Sequence, residues 1–269
     1  MNWNESFQRD FEGFFHSKVS GNSRLNEAIL YALRSPGKRL RAKFANESGS
    51  LVGLPLPATQ AFSYAIELVH LFSLIHDDLP CMDDDDLRRG LPTIHKKFDE
   101  ATALLVGDAL LALSFEAFAD CAASVEKTAF ANALRFFSSA IGSSGMIGGQ
   151  SKELELGNAV DEKSLFEIQD LKTGALFRAA LLTPFLLAGI SESNPQYPEI
   201  LRYASDFGFA FQIADDLDDE VQDQHEKVKN ILSIYGRSKA VELARTRLIQ
   251  TSISQKFSAT AVLLSKLNA

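Results

Sequence analysis

Residues 61–78 read Ala61-Phe-Ser-Tyr-Ala-Ile-Glu-Leu-Val-His70-Leu-Phe-Ser-Leu-Ile-His-Asp77-Asp78. Phe62, Ala65, Ile66, Val69, Phe72 and Leu74/Ile75 recur at helical spacing, which puts one apolar face on an α-helix. The same period runs through Leu104, Leu105, Asp108, Leu111, Phe115 and Phe118. It returns in Leu176, Ala179, Ala180, Leu182 and Leu186, and again in Tyr203, Phe207, Phe211 and Ala214. Alternating segments of strand length are absent. Turn signals are sparse: Ser35-Pro36-Gly37, Gly53 to Pro57, Gly90 to Pro92, Gly142 to Gly149 and Ser191 to Pro198. The pattern predicts one all-α domain over residues 1–269, with about ten mostly antiparallel helices. No repeat of solenoid period is evident.

Composition narrows the function. Hydrophobic residues make up 46% and charged residues 23% of the 269, a globular balance that excludes disordered and collagenous classes. Lys+Arg is 27 against Asp+Glu 35, a net charge of −8, which argues against a general nucleic-acid binder. Cys81 and Cys121 cannot build a disulfide framework and form no CxxC pair, so a reducing compartment is expected. No uninterrupted apolar run reaches the ~18 residues of a membrane span. The start, Met-Asn-Trp-Asn-Glu-Ser, has no secretory pattern. A cytoplasmic protein without a stable membrane anchor is expected. The 20 Phe residues read as filler of a large core, or in part as the lining of an apolar tunnel.

Two acidic clusters stand out. In Asp77-Asp78-Leu-Pro-Cys-Met-Asp83-Asp84-Asp85-Asp86-Leu-Arg88-Arg89-Gly90, carboxylates crowd the end of an apolar helix with no polar transition. Crowded like charges are unfavourable unless cations share the site. A solvated acidic loop is the plain alternative. An EF-hand is excluded, because a loop starting at Asp83 places Leu87 and Arg88 where a ligand and a Gly are required. Asp77 and Asp83 are six apart with Pro80 between them, so a break in the helix is needed to align them. The second cluster, Gln212-Ile-Ala-Asp215-Asp216-Leu-Asp218-Asp219-Glu220, also closes an apolar helix, and Asp215 and Asp219 share a face. Oxygen-only clusters without His or Cys suit Mg²⁺ bridged to substrate phosphates.

Phosphates call for cations nearby. Arg88 and Arg89 follow the first cluster, Gly37-Lys38-Arg39-Leu40-Arg41 opens a helix, and Lys172-Thr173-Gly174 interrupts another. Arg supplies a bidentate fork and Lys a point charge. His70 lies two turns before Asp77 on the same face, either as a satisfied core residue or as part of the site.

Together these pieces resemble the trans-isoprenyl diphosphate synthases, in particular the bacterial short-chain farnesyl diphosphate synthase type. The resembling segments are Gly37-Lys-Arg-Leu-Arg41, Ser73 through Thr93, Leu105-Val-Gly-Asp-Ala-Leu110, Gly148-Gly-Gln150, Lys172-Thr-Gly-Ala175 and Phe211-Gln-Ile-Ala-Asp-Asp216. The resemblance implies a helical bundle around a deep central cavity, usually a homodimer. It implies condensation of isopentenyl diphosphate with an allylic diphosphate such as dimethylallyl or geranyl diphosphate. Carried over, Asp77 and Asp83 would bind two Mg²⁺ on the allylic diphosphate and Asp215 a third, with Asp78, Asp216 and Asp219 in support. Lys38, Arg41, His70 and Arg89 would hold isopentenyl diphosphate. Arg88, Lys172, Thr173 and Gln212 would contact the allylic side, with Thr173 and Gln212 orienting the cation through their oxygens.

Phe72 and Ser73 precede Asp77 by five and four residues, roughly 7 Å along a helix. An aromatic there goes in the family with a C15 product, so Phe72 favours farnesyl over geranylgeranyl diphosphate. The chain departs from the family after Asp219. The loop there is short and carries no Gly-Lys element; Lys227, or else Lys229, is the candidate diphosphate contact. The C-terminus lacks a basic tail. A terpene cyclase and a weakly active or non-catalytic synthase subunit are the competing readings. The second Asp cluster and the Gly37–Arg41 segment speak against the cyclase, and the intact aspartates against the subunit.

Overall fold

The structure, a computed structural model, describes residues 2–157, 161–218 and 230–268. Its elements in chain order are α1 (Trp3–Lys18), α2 (Arg24–Arg34), α3 (Leu40–Leu51), α4 (Leu56–Asp77), β1 (Leu87–Arg88), β2 (Leu91–Pro92), α5 (Ile94–Lys97) and α6 (Glu100–Asp120). There follow α7 (Lys127–Ile141), α8 (Met146–Leu156), α9 (Glu162–Gln169), α10 (Ala175–Leu187), α11 (Gln196–Asp218), α12 (Ile231–Tyr235), α13 (Arg237–Ile249) and α14 (Ser258–Lys266). The all-α expectation holds. Among the described residues the sheet is a single hairpin of two-residue strands, with Leu87 opposite Pro92 and Arg88 opposite Leu91.

Contacts divide the chain into two compact units. The first runs to Lys43 and resumes over Gln60–Cys121; the second holds Phe44–Thr59 and continues from Ala122. In the first unit, α1 turns Phe7, Phe11 and Phe15 inward at four-residue spacing, and Phe11 stacks on Tyr64 at 5.4 Å. Capping fixes the helix starts: Asn2 and Glu5 form a capping box, Ser23 accepts from the Asn26 N–H, and Asp99 accepts from the Thr102 N–H. In the second unit an aromatic cluster fills the core. Phe44 meets Phe207 edge-on at 4.6 Å, and Tyr203 stacks on Phe257 at 4.9 Å. These rings are fully buried, which favours the filler reading for them.

One sequence expectation needs correction. α4 and the stretch Glu100–Ala123 are long and apolar enough to cross a membrane, with mean hydropathy 1.2 and 1.6. Counting uninterrupted apolar runs missed them because isolated polar residues are averaged out over a whole helix. The α4 window is 72% buried, which fits the core helix of a globular fold; the α6 window is only 44% buried. Leu104, Leu105 and Phe115 are exposed on α6.

Candidate active site

In the first unit, α4 ends at Asp77 and the chain folds into a tight turn. The Asp83 N–H donates to the Asp77 carbonyl at 2.9 Å, and the Met82 and Asp84 N–H groups donate to Leu79. This is the break that the six-residue spacing required, and it joins the backbones of Asp77 and Asp83. Arg88 straps the turn: its Nε donates to Asp78 Oδ1 at 2.6 Å and its Nη2 to Asp85 Oδ2 at 2.7 Å. Asp78 is buried, which pushes its pKa up despite the opposing Arg88 bond. Asp78 and Arg88 therefore hold each other in this structure, while the Asp83 side chain faces solvent.

A guanidinium cluster adjoins the turn. Arg41 Nη1 lies 3.3 Å from His70 Nε2; a guanidinium only donates, so Nε2 accepts and Nδ1 carries the ring proton. Burial holds the His70 pKa well below 6.5, and the charges of Arg41, Arg89, Arg39 and Arg88 push the same way. Arg89 donates to the Pro36 carbonyl at 2.5 Å. That partner is neutral, and burial with the nearby Arg39 charge depresses the Arg89 pKa. Lys38 is exposed in the same turn. Phe72 is buried with its ring edge-on to His76 at 4.9 Å, and Ser73 donates to the His70 carbonyl at 2.9 Å.

In the second unit, Lys172 and Thr173 sit on a π-helical turn, Asp170–Gly174, between α9 and α10. Such turns re-aim side chains and recur at functional sites. Thr173 Oγ1 donates to Gln212 Oε1 at 3.3 Å, and Gln212 Nε2 donates to Asp216 Oδ1 at 2.9 Å. Asp216 Oδ2 in turn accepts from the Ile231 N–H at 3.0 Å. The buried Asp216 thus fixes which way the Gln212 amide faces. Lys172 Nζ contacts Glu153 at 2.5 Å. Asp215 lies 3.7 Å from Lys266, which also reaches Asp218 at 2.5 Å. Asp219, Lys227 and Lys229 fall outside the described residues.

Sequence reasoning missed three charged residues. Arg39 is buried and paired with Glu67 at 3.1 Å. Glu153 and Lys266 pair with site residues across 19 and 51 positions of chain, in no local pattern. Lys266 is a lone cation in the C-terminal stretch, which carries no basic tail.

Residues 22–233 match the polyprenyl synthetase family. The chain belongs to that family. It is 42% identical over 206 residues to the farnesyl diphosphate synthase of Escherichia coli K12, covering 75% of this chain and 68% of that one. It is 37% identical over 204 residues to a chloroplastic geranylgeranyl pyrophosphate synthase of Capsicum annuum, covering 75% and 55%. Among solved structures, an apo FPP/GFPP synthase from Zymomonas mobilis gives a TM-score of 0.84 at 35% identity, covering 98% of this chain and 95% of that one. A polyprenyl synthetase with this acidic turn and guanidinium cluster has groups suited to cations and to diphosphate anions.

Proposed function

We propose that the chain is a short-chain trans-prenyltransferase that condenses isopentenyl diphosphate with dimethylallyl or geranyl diphosphate to give farnesyl diphosphate. The turn that joins Asp77 to Asp83, beside the Arg41–His70–Arg89 cluster, carries this reading. The acidic side suits a cation-bound allylic diphosphate and the basic side a second diphosphate. A cyclase, which takes one diphosphate, has no use for the second.

The donor set around Asp77 and Asp83 is all oxygen and fits Mg²⁺. Mg²⁺ held by Asp77 and Asp83, with a further ion at Asp215, would stabilise charge on the departing diphosphate. The chain's own residues do the rest. Arg41, Arg89 and Lys38 bind the isopentenyl diphosphate, and neutral His70 holds Arg41 in place. Lys172 leaves Glu153 to take the allylic diphosphate. As the allylic C–O bond breaks and diphosphate departs, the isopentenyl double bond attacks the allylic carbon, a C–C bond forms, and the proton lost in restoring the double bond goes to the departing diphosphate. The Thr173 hydroxyl donates its hydrogen bond to Gln212 Oε1, so its lone pairs remain to face the cation. Phe72 floors the pocket at C15.

We place the enzyme as a homodimer, supported by the apolar Leu104, Leu105 and Phe115 on α6. The test is turnover of labelled isopentenyl diphosphate with each primer and Mg²⁺, with product length read by chromatography. A C15 product is expected, lost in Asp77→Ala and in Asp215→Ala alike and lengthened in Phe72→Ala. Full turnover in either aspartate variant overturns the mechanism. Absence of condensation with either primer favours the non-catalytic subunit.

A further inference from the structure

We infer that Asp84, Asp86 and His95 form a second divalent-cation site, with mixed oxygen and nitrogen ligands, that prefers an ion of the Zn²⁺ class to Mg²⁺. It uses neither Asp77 nor Asp83 and needs no substrate. The β1–β2 hairpin folds the chain back so that α5 meets the far end of the acidic run, with the Thr93 N–H donating to the Asp86 carbonyl at 3.0 Å. One ligand atom from each of Asp84, Asp86 and His95 lies within 4.8 Å of the other two.

The state of the His95 ring points to a ligand. The residue is only 7% exposed. Thr93 Oγ1 lies 2.8 Å from the Asp85 carbonyl, which can only accept, so the hydroxyl proton is committed there. Thr93 Oγ1, 3.1 Å from His95 Nδ1, must then accept from it, and Nδ1 carries the proton. With Nδ1 protonated, Nε2 is the ring atom left to offer a lone pair. That atom is buried, has no hydrogen-bond partner among the described residues, and lies 4.0 Å from Asp84 Oδ1. A lone pair facing a carboxylate is repulsive unless an electrophile stands between them. The electrophile is either a proton or a metal ion.

The surroundings favour the metal. A proton on Nε2 can bond only one carboxylate, whereas an ion takes both Asp84 and Asp86, and one atom from each lies with a His95 nitrogen in a single group within 4.8 Å. Zinc-class ions take imidazole and carboxylate at about 2.0–2.2 Å. The ligand atoms would therefore need to close by about an ångström. The Asp84 and Asp86 side chains are 60% and 74% exposed, so no packed core opposes a shift of that size. Lys96 pairs with Asp86 Oδ1 at 2.7 Å, and a carboxylate has two oxygens, so it can pair with the lysine and an ion together. The Nδ1–H bond to Thr93 is the outer-shell contact that orients a ligating histidine. Imidazole selects against Mg²⁺, which prefers oxygen and gives up water reluctantly. An ion here would pin the acidic run to α5.

Titration of the untagged full chain with Co²⁺, without substrate, tests this through visible absorption and equilibrium dialysis. One Co²⁺ per chain is expected at this site, displaced by Zn²⁺ but not by equal Mg²⁺. It should persist in Asp77→Ala/Asp83→Ala and weaken roughly tenfold or more in Asp84→Asn/Asp86→Asn. The latter pair lies on the surface, and circular dichroism checks its fold. ¹⁵N spectra should show the His95 Nε2 resonance shift on adding Zn²⁺. Binding that survives Asp84→Asn/Asp86→Asn but is lost with Asp77 and Asp83 overturns the site. So does a His95 ring protonated on both nitrogens with no saturable Co²⁺. Because no substrate is present, neither outcome depends on prenyl transfer.

Discussion

Arg39 holds φ at +48°, a left-handed conformation that bulky residues rarely adopt. The return is a guanidinium turned into the core. Its Nη1 donates to Glu67, and its Nη2 donates to the Leu33 and Ser35 carbonyls and to Gln8 Oε1. Both partners of the Arg39–Glu67 pair are almost fully buried. Glu67→Ala leaves a buried charge unpaired, and a loss of about 3–5 kcal/mol is expected in urea unfolding. A loss below 1 kcal/mol would mean that the carbonyls alone satisfy Arg39. His70 predicts a pH dependence. Burial, then Arg41, Arg89, Arg39 and Arg88, hold its folded pKa well below 6.5. Below about pH 6.5 the unfolded chain takes up a proton that the folded chain refuses. Stability is therefore full above that pH and falls as acid is added, by up to about 1.4 kcal/mol per pH unit, until the folded ring titrates. His70→Asn should flatten this slope between about pH 7 and 5.5; an unchanged slope would assign the acid loss to carboxylates instead.

At the scale of elements, the π turn carrying Lys172 and Thr173 depends on a glycine of another helix. A Cβ on Gly149 of α8 would fall 2.5 Å from the Lys172 backbone N and 2.9 Å from its Cα. Backbone cannot yield as a flexible side chain can. Gly149→Ala should cost about 1–3 kcal/mol in stability through overpacking. It should also move Lys172, lowering kcat while leaving KM for isopentenyl diphosphate unchanged, because the guanidinium cluster belongs to other elements. Gly13, inside α1 with nothing near its Cβ position, is the control: Gly13→Ala should stabilise by about 0.5–1 kcal/mol. Equal kcat in wild type and Gly149→Ala would separate the turn from catalysis. The sequence shows Gly148-Gly149 and Lys172-Thr173-Gly174 as two unrelated interruptions of helical pattern. Only packing shows that the first makes room for the second.

At the scale of the molecule, legibility follows the range of the interaction. Helical period is local, so α4, α6, α10 and α11 can be read from single stretches such as Phe62 to Ile75. The acidic motif is local too, and its six-residue spacing foretells the turn that joins Asp77 to Asp83. Ion pairs closed by tertiary folding leave no such trace, which is why Arg39–Glu67, Lys172–Glu153 and Asp215–Lys266 cannot be read in advance. The last of these brings the C-terminal helix α14 to the second acidic cluster. Tyr203 anchors that helix: its hydroxyl donates to Thr260 Oγ1 at 2.7 Å, since the Thr260 proton goes to the Ser254 carbonyl. Thus anchored, α14 delivers Lys266 to Asp215 and Asp218 as an internal cation. Both pairs are partly exposed, so Lys266→Met should cost only about 0.2–1 kcal/mol without added metal. The cost should shrink when Mg²⁺ and an unreactive allylic diphosphate analogue are added, because the bound cation then neutralises the same carboxylates. Thermal melts in chelator and in Mg²⁺ with the analogue measure both values. A Lys266→Met deficit that grows with Mg²⁺ would show instead that Lys266 grips the diphosphate.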